Sequence, residues 1–182
     1  SEVEEIERRI EKSLKELRER LEEAEKRHEE LLERLEREID RIEKELRKDL
    51  KRLRDMTRRG EVDEKTIDEE EERLRRKLEE LKKIVEKVRK ENEDLLRKWK
   101  RDIDEHHREL RETLKRAKDK TKTERVKKEI DRLEKRLEEV NEEIKKRLKE
   151  LAERSRRVLE RIKDRIRRAA EELKRVLDEV RT

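Results

Sequence analysis

The sequence predicts an all-α fold: an antiparallel, up-down-up three-helix bundle of long, nearly untwisted helices. Three observations carry this prediction. Apolar residues return on an 18-residue repeat in each of three long segments. The chain is 64% charged and 27% hydrophobic, with one Gly and no Pro. That Gly and one further polar turn divide the 182 residues into thirds.

In the first segment the core series reads Val3, Ile6, Ile10, Leu14, Leu17, then Leu21, Ala24, His28, Leu32, Leu35, then Ile39, Ile42, Leu46, Leu50, Leu53. Offsets of 0, 3, 7, 11 and 14 put five core positions in 18 residues, the natural 3.6-residue turn of a straight α-helix. A 7-residue repeat would demand a left-handed supercoil and an 11-residue repeat a right-handed one; 18 demands neither. Ordinary domains are about 25% charged, and a chain this polar would otherwise read as disordered. Here five positions in eighteen, about 28%, account for nearly all of the 27% apolar content, so few apolar residues are left for the surface.

Helix 1 is predicted over about 2–59. Ser1 and Glu4 form a capping box at its start, and Gly60 supplies the left-handed residue that ends it. Helix 2 is predicted over about 64–118. Asp63 caps it, Val62 and Ile67 stand at the two positions of a hydrophobic staple, and the acids Asp68 to Glu72 suit the positive end of its dipole. Its seam reads Ile67, Glu70, Leu74, Leu78, Leu81, then Val85, Val88, Asn92, Leu96, Trp99, then Ile103, His106, Leu110, Leu114, Ala117.

The second turn lies in Asp119–Glu124. Thr121 with Glu124 matches a capping box and is the preferred start of helix 3, over about 122–180; Thr123 is the competing cap. The third seam reads Val126, Ile130, Leu133, Leu137, Asn141, then Ile144, Leu148, Leu151, Ser155, Leu159, and closes with Ile162, Ile166, Ala169, Leu173, Leu177 and Val180. Val140, Val158 and Val176 keep the same period beside it. Leu31, Ile84, Leu95 and Met56 lie off the seam but next to it, where they widen the core.

At 1.5 Å per residue each helix is roughly 80–90 Å long, and short connections make neighbours antiparallel. One narrow seam per helix is what a three-helix bundle can bury, so residues 1–182 are expected to form a single domain and a monomer. Aligning the helix ends makes partners in helices 1 and 2 sum to about 122, and in helices 2 and 3 to about 243. Trp99 then falls level with Ala24 and Ile144, the largest core side chain meeting one of the smallest, as close packing requires.

Six polar residues stand on the core phase: His28, Glu70, Asn92, His106, Asn141 and Ser155. The pairing puts His28 near Asn92 with Ser155 about a turn away, and His106 near Asn141 with Ser13 beside the seam. Imidazoles and amides both donate and accept, so such groups are able to satisfy one another when buried. Two readings remain. The polar groups specify register, because slipped packings leave them unpaired; or they reach the edge of a slim bundle and meet water, as is expected for Glu70.

Chemistry has little support. A zinc site needs about four ligands, yet the histidines stand about 12 residues of helix apart in height, there is no Cys, and adjacent His106 and His107 point about 100° apart. No nucleophile, base and orienter come together. No catalytic residue, cofactor or metal is expected. The +5 net charge comes from 61 basic and 56 acidic residues mixed along the chain, often four apart as in Glu11–Lys15, which supports exposed helix faces. Nucleic-acid binding wants a one-signed stripe with stacking aromatics; Arg97, Lys98, Lys100 and Arg101 approach this, but Trp99 between them is on the core phase. No apolar run is long enough to span a membrane, and no signal peptide is expected. No partner is expected.

The 18-residue seam, the scarcity of Gly and aromatics, and the exposed positions filled by Glu, Lys and Arg make the whole chain resemble de novo, parametrically designed helical bundles. That resemblance implies an untwisted antiparallel bundle, very high stability and no natural ligand. Its polar core residues depart from an all-aliphatic design and resemble deliberate hydrogen-bond networks. The alternative is a natural structural spacer or coiled-coil-like interaction protein. A lone charged helix of this length would reach about 270 Å and has no reason to keep apolar residues in phase.

Overall fold

In the computed structural model residues 2–182 are described, with side chains from residue 4 onward. The expected Ser1 cap and the seam side chain of Val3 lie outside these. Three helices make up the fold: α1 Glu2–Arg58, α2 Glu64–Lys120 and α3 Glu124–Arg181. Straight-chain Glu, Lys, Arg and Leu lose little rotamer freedom in a helix, which is why such long segments stay helical.

The first turn follows its sequence signals closely. Gly60 has φ of +69°, its N–H donates to the Thr57 carbonyl at 3.0 Å, and the Glu61 N–H donates to the Met56 carbonyl at 3.0 Å. These two bonds form a Schellman motif that satisfies carbonyls at the end of α1. Asp63 then opens α2. Its Oδ1 accepts from the Thr66 N–H at 2.8 Å and from the Thr66 hydroxyl at 2.7 Å, and these bonds hold its carboxyl below the usual carboxylate range. Val62 packs against the core cluster that contains Ile67, in keeping with a staple.

The second turn differs from expectation. α2 runs on to Lys120, and α3 starts at Glu124, with the Lys127 N–H donating to the Thr123 carbonyl at 3.1 Å. Thr123 is therefore the cap, and Thr121 is not. Thr121 and Thr123 are both β-branched and poor helix formers. The chain leaves the helical path at the first and re-enters after the second.

The chain forms two compact units. The first comprises residues 1–28 and 93–154. Its core joins Ile10, Leu14, Leu17 and Leu21 of α1, Ile103, Leu110 and Leu114 of α2, and Ile130, Leu133, Leu137, Val140, Ile144 and Leu148 of α3. Within it Glu11 pairs with Arg136 and Glu25 with Arg147, offsets of 125 and 122 that make α1 and α3 parallel. His107–Glu138 and Lys118–Asp131 join antiparallel α2 and α3, with partner numbers summing to 245 and 249. Both lie close to the expected 243, within the reach of long side chains.

The second unit comprises residues 29–92 and 155–182. Leu32 to Leu53 of α1, Ile67 to Val88 of α2 and Val158 to Val180 of α3 supply its core, with Leu31 and Ile84 packed at the margin. Glu45–Lys77, Asp49–Arg73 and Arg52–Glu70 pair antiparallel α1 and α2, and each pair sums to the expected 122. Arg54–Glu179 and the contacts of Arg165 with Asp40 and Glu43 again make α1 and α3 parallel.

Every α1 seam position from Ile10 to Leu53 is buried, as are Val140, Val158 and Val176. Leu96 and Trp99 are only half-buried. Among the described residues no large hydrophobic side chain is exposed.

The first turn is directly testable. A Cβ at Gly60 would meet nothing within 4 Å, so Gly60→Ala carries only the backbone cost of the left-handed region, about 1–2 kcal/mol. Asp63→Ala should cost about 1 kcal/mol through the lost cap. Guanidinium midpoints check both, and two unchanged midpoints would contradict the turn described.

Candidate functional site

The polar residues of the core are the candidates for function, and each is placed by a helix phase. In the first unit His28 and Asn141 are buried, at 1% and 5% exposure. Ser13 is half-buried. The Asn141 Oδ1 is buried without a hydrogen-bond partner, so it is not joined to His106 or Ser13. In the second unit Asn92 and Ser155 are buried, and the Asn92 Oδ1 likewise lacks a partner.

His106 and His107 straddle the seam, and neither points straight into the core. The His106 side chain is 29% exposed, with Nδ1 3.8 Å from the Glu109 carboxylate on its own helix. His107, which the seam pattern passes over, is the more enclosed at 15%, and its Nε2 donates to Glu138 Oε1 on α3 at 2.9 Å. The signal for it was the 100° step between neighbours: with the seam falling between them, the residue beside the marked position is the one that reaches α3.

The densest polar cluster in the second unit was not anticipated. Asp49 of α1 is 13% exposed and accepts from the Lys77 ammonium at 2.9 Å, with Arg73 at 3.0 Å and Arg52 at 3.6 Å. Glu70 lies 3.0 Å from Arg73 and 3.4 Å from Arg52, and Glu45 lies 3.6 Å from Lys77. Glu70 is thus half-buried within this network, beside the core, instead of extending into bulk water. Burial pushes the Asp49 carboxyl upward, but the hydrogen bond from Lys77 and the charges of Lys77, Arg73 and Arg52 together outweigh it and hold the group below the usual carboxylate range.

The 18-residue period also appears in the ion pairs. In the first unit Arg147 grips Glu25 with two bonds of 3.0 Å, Nε to Oε1 and Nη2 to Oε2. Eighteen residues on, in the second unit, Arg165 binds Glu43 and also Asp40. Hydrogen bonds to Glu43 and Asp40 raise the Arg165 pKa still further above its ordinary value. The Arg147–Glu25 fork is bidentate, a geometry that guanidinium and carboxylate adopt in few ways, whereas Arg165 bridges Glu43 and Asp40 through one nitrogen.

Among the described residues, no three His, Asp or Glu side chains are grouped to hold a metal ion, and no helix is long and apolar enough to cross a membrane. A groove of about 760 Å3 between α1 and α3 of the second unit is lined by charges of both signs around Leu46, Leu50, Ala169 and Leu173. What the arrangement does chemically is align helices.

One solved structure with the same fold is a computationally designed three-helix bundle. It aligns with a TM-score of 0.76 at 20% identity, over 98% of this chain and 88% of that one. No protein-family model and no curated protein matches the chain.

Two substitutions test these placements. The folded-state pKa of Asp49 lies below the unfolded value of about 3.9, so its stabilisation is complete above that value and is lost as pH falls through the folded-state value. Asp49→Asn should cost about 1 kcal/mol at pH 7 and flatten the loss of stability on acidification, read from denaturant midpoints between pH 7 and 2; a parallel profile would contradict the assignment. Asn141→Leu removes a buried acceptor without a donor and should raise stability by about 1–3 kcal/mol. A lowered midpoint would mean that the amide is satisfied in solution.

Proposed function

We propose that the chain is a designed structural scaffold, a monomeric bundle whose role is to hold its own geometry, and that its buried polar residues specify register. The observation that carries this reading is the fidelity of the seam. From Ile10 to Leu53 every core position of α1 keeps the 18-residue period and is buried. A phase kept over that length, with Glu, Lys and Arg at the exposed positions, is what an idealised backbone asks of its sequence.

The polar groups fit the same reading. They are ion pairs between helices, two buried amides, and the buried His28 and Ser155, dispersed along the seams in a way suited to alignment more than to catalysis. A buried amide acceptor without a donor lowers stability, and its retention makes sense when it disfavours competing packings. The likeness in fold to a designed three-helix bundle supports the reading as well.

Light scattering should give a mass of 22.9 kDa, and the helical circular dichroism signal should persist beyond about 90 °C, the range of hyperstable proteins. A dimer or trimer mass would overturn the monomeric reading. A cooperative melt near 45–65 °C, where ordinary domains cluster, would overturn the idealised one.

A further inference from the structure

In each helix the chain passes from one unit to the other beside a buried polar residue: after His28 in α1, after Asn92 in α2 and before Ser155 in α3. Along each helix the two hydrophobic clusters end on opposite sides of that residue. The two cores are unequal. Among the described residues, 21 buried hydrophobic side chains form the core of the second unit and 13 that of the first, although the units are nearly equal in length. Ala24 and Leu151 are also buried in the first unit, which narrows the gap without closing it. Leu96 and Trp99 on the first unit's seam are only half-buried, and the buried Asn141 acceptor there has no partner. The second unit holds one such acceptor too, on Asn92, but it adds the Asp49 network and the Asp63 cap.

We propose that the first unit opens as one cooperative body while the second stays folded, and that this partial opening is the chain's lowest-energy excursion beyond fraying of its helix ends. Either unit, on opening, frees one terminal segment and one loop of about 60 residues, so loop closure costs nearly the same in both cases. What differs is the core. Each fully buried Leu, Ile or Val shifts the closed-to-open ratio by roughly tenfold or more, so a surplus of a few such side chains decides which unit opens first. Apolar packing along each seam is interrupted at the polar residue, and cooperative units divide where buried apolar contacts are sparse. The scaffold reading does not depend on this, since a chain that opened only as one body would be a scaffold still.

Amide hydrogen exchange of the full chain, followed by mass spectrometry over a series of sub-denaturing guanidinium concentrations, measures the opening of each segment. Interior amides of 4–28 and 93–154 should converge on one opening energy, and those of 29–92 and 155–181 on a higher one. Two variants give an independent readout, at side chains that are 0% and 1% exposed. Leu114→Ala should speed exchange in the first unit about a hundredfold or more. Leu81→Ala should speed it in the second unit and leave the first unit's rates unchanged. In a single cooperative body each substitution would speed every amide alike. One common opening energy, a smooth gradient from the helix ends, a second unit that opens more easily than the first, or faster exchange of the first unit in Leu81→Ala would overturn the proposal. The first three are read on the unsubstituted chain and need neither variant to fold.

Discussion

Five turns of α-helix contain 18 residues, and everything else in this structure depends on that commensurability. An apolar side chain placed every 18 residues returns to the same side of a straight helix, so a narrow seam stays on one face with no supercoil to follow it. With apolar residues at only 27% of the chain there is no surplus to repair a phase error. A seam that drifted would bury charge, which is costly unless paired and hydrogen-bonded. Aligned, the same residues build both hydrophobic cores and leave no large apolar side chain exposed among the described residues.

A strictly periodic seam has a weakness: it matches itself after a slip. Leu and Ile recur so regularly that a displaced helix would still set apolar residues against apolar ones. Register must therefore come from features that break the period. The placement of Trp99 across from Ala24 is one, since a ring displaced by one turn would meet Leu21 or His28 instead of an Ala. The buried Asn141 and Asn92 are others, because a slip changes what surrounds an amide far more than what surrounds a methyl. The Asp49 network adds a third kind of constraint. Its three carboxylates and three cations match in an antiparallel alignment with partners summing to 122.

Most of the fold was legible in the sequence because contrast was high. A few apolar residues in a charged background make phase visible, and Gly60 and Asp63 have conformational roles that no neighbour competes for. Legibility failed where contrast was low. Two similar threonines two residues apart both qualified as caps, and the choice fell to Thr123 by the shape of the turn. His107 was missed because the seam passes between it and His106, and a pattern of single positions assigns such a seam to one neighbour only. The Asp49 cluster was invisible as a motif, since a charged residue carries no signal in a chain that is 64% charged; only the cross-helix alignment identifies its partners.

The commensurate seam is best tested by shortening it. Removing residues 31–48, 74–91 and 156–173 deletes one repeat from each helix at matched levels of the second unit and leaves the first turn, Asn92 and Ser155 in place. Leu50 and Leu53 then take the phase of Leu32 and Leu35. A matched deletion of 16 residues per helix would instead turn the remaining seam by about 160°. Denaturant unfolding followed by circular dichroism should give one cooperative transition from a fully helical state for the 18-residue deletion, and none for the 16-residue deletion. Equal behaviour of the two, or loss of cooperativity in the first, would contradict the account.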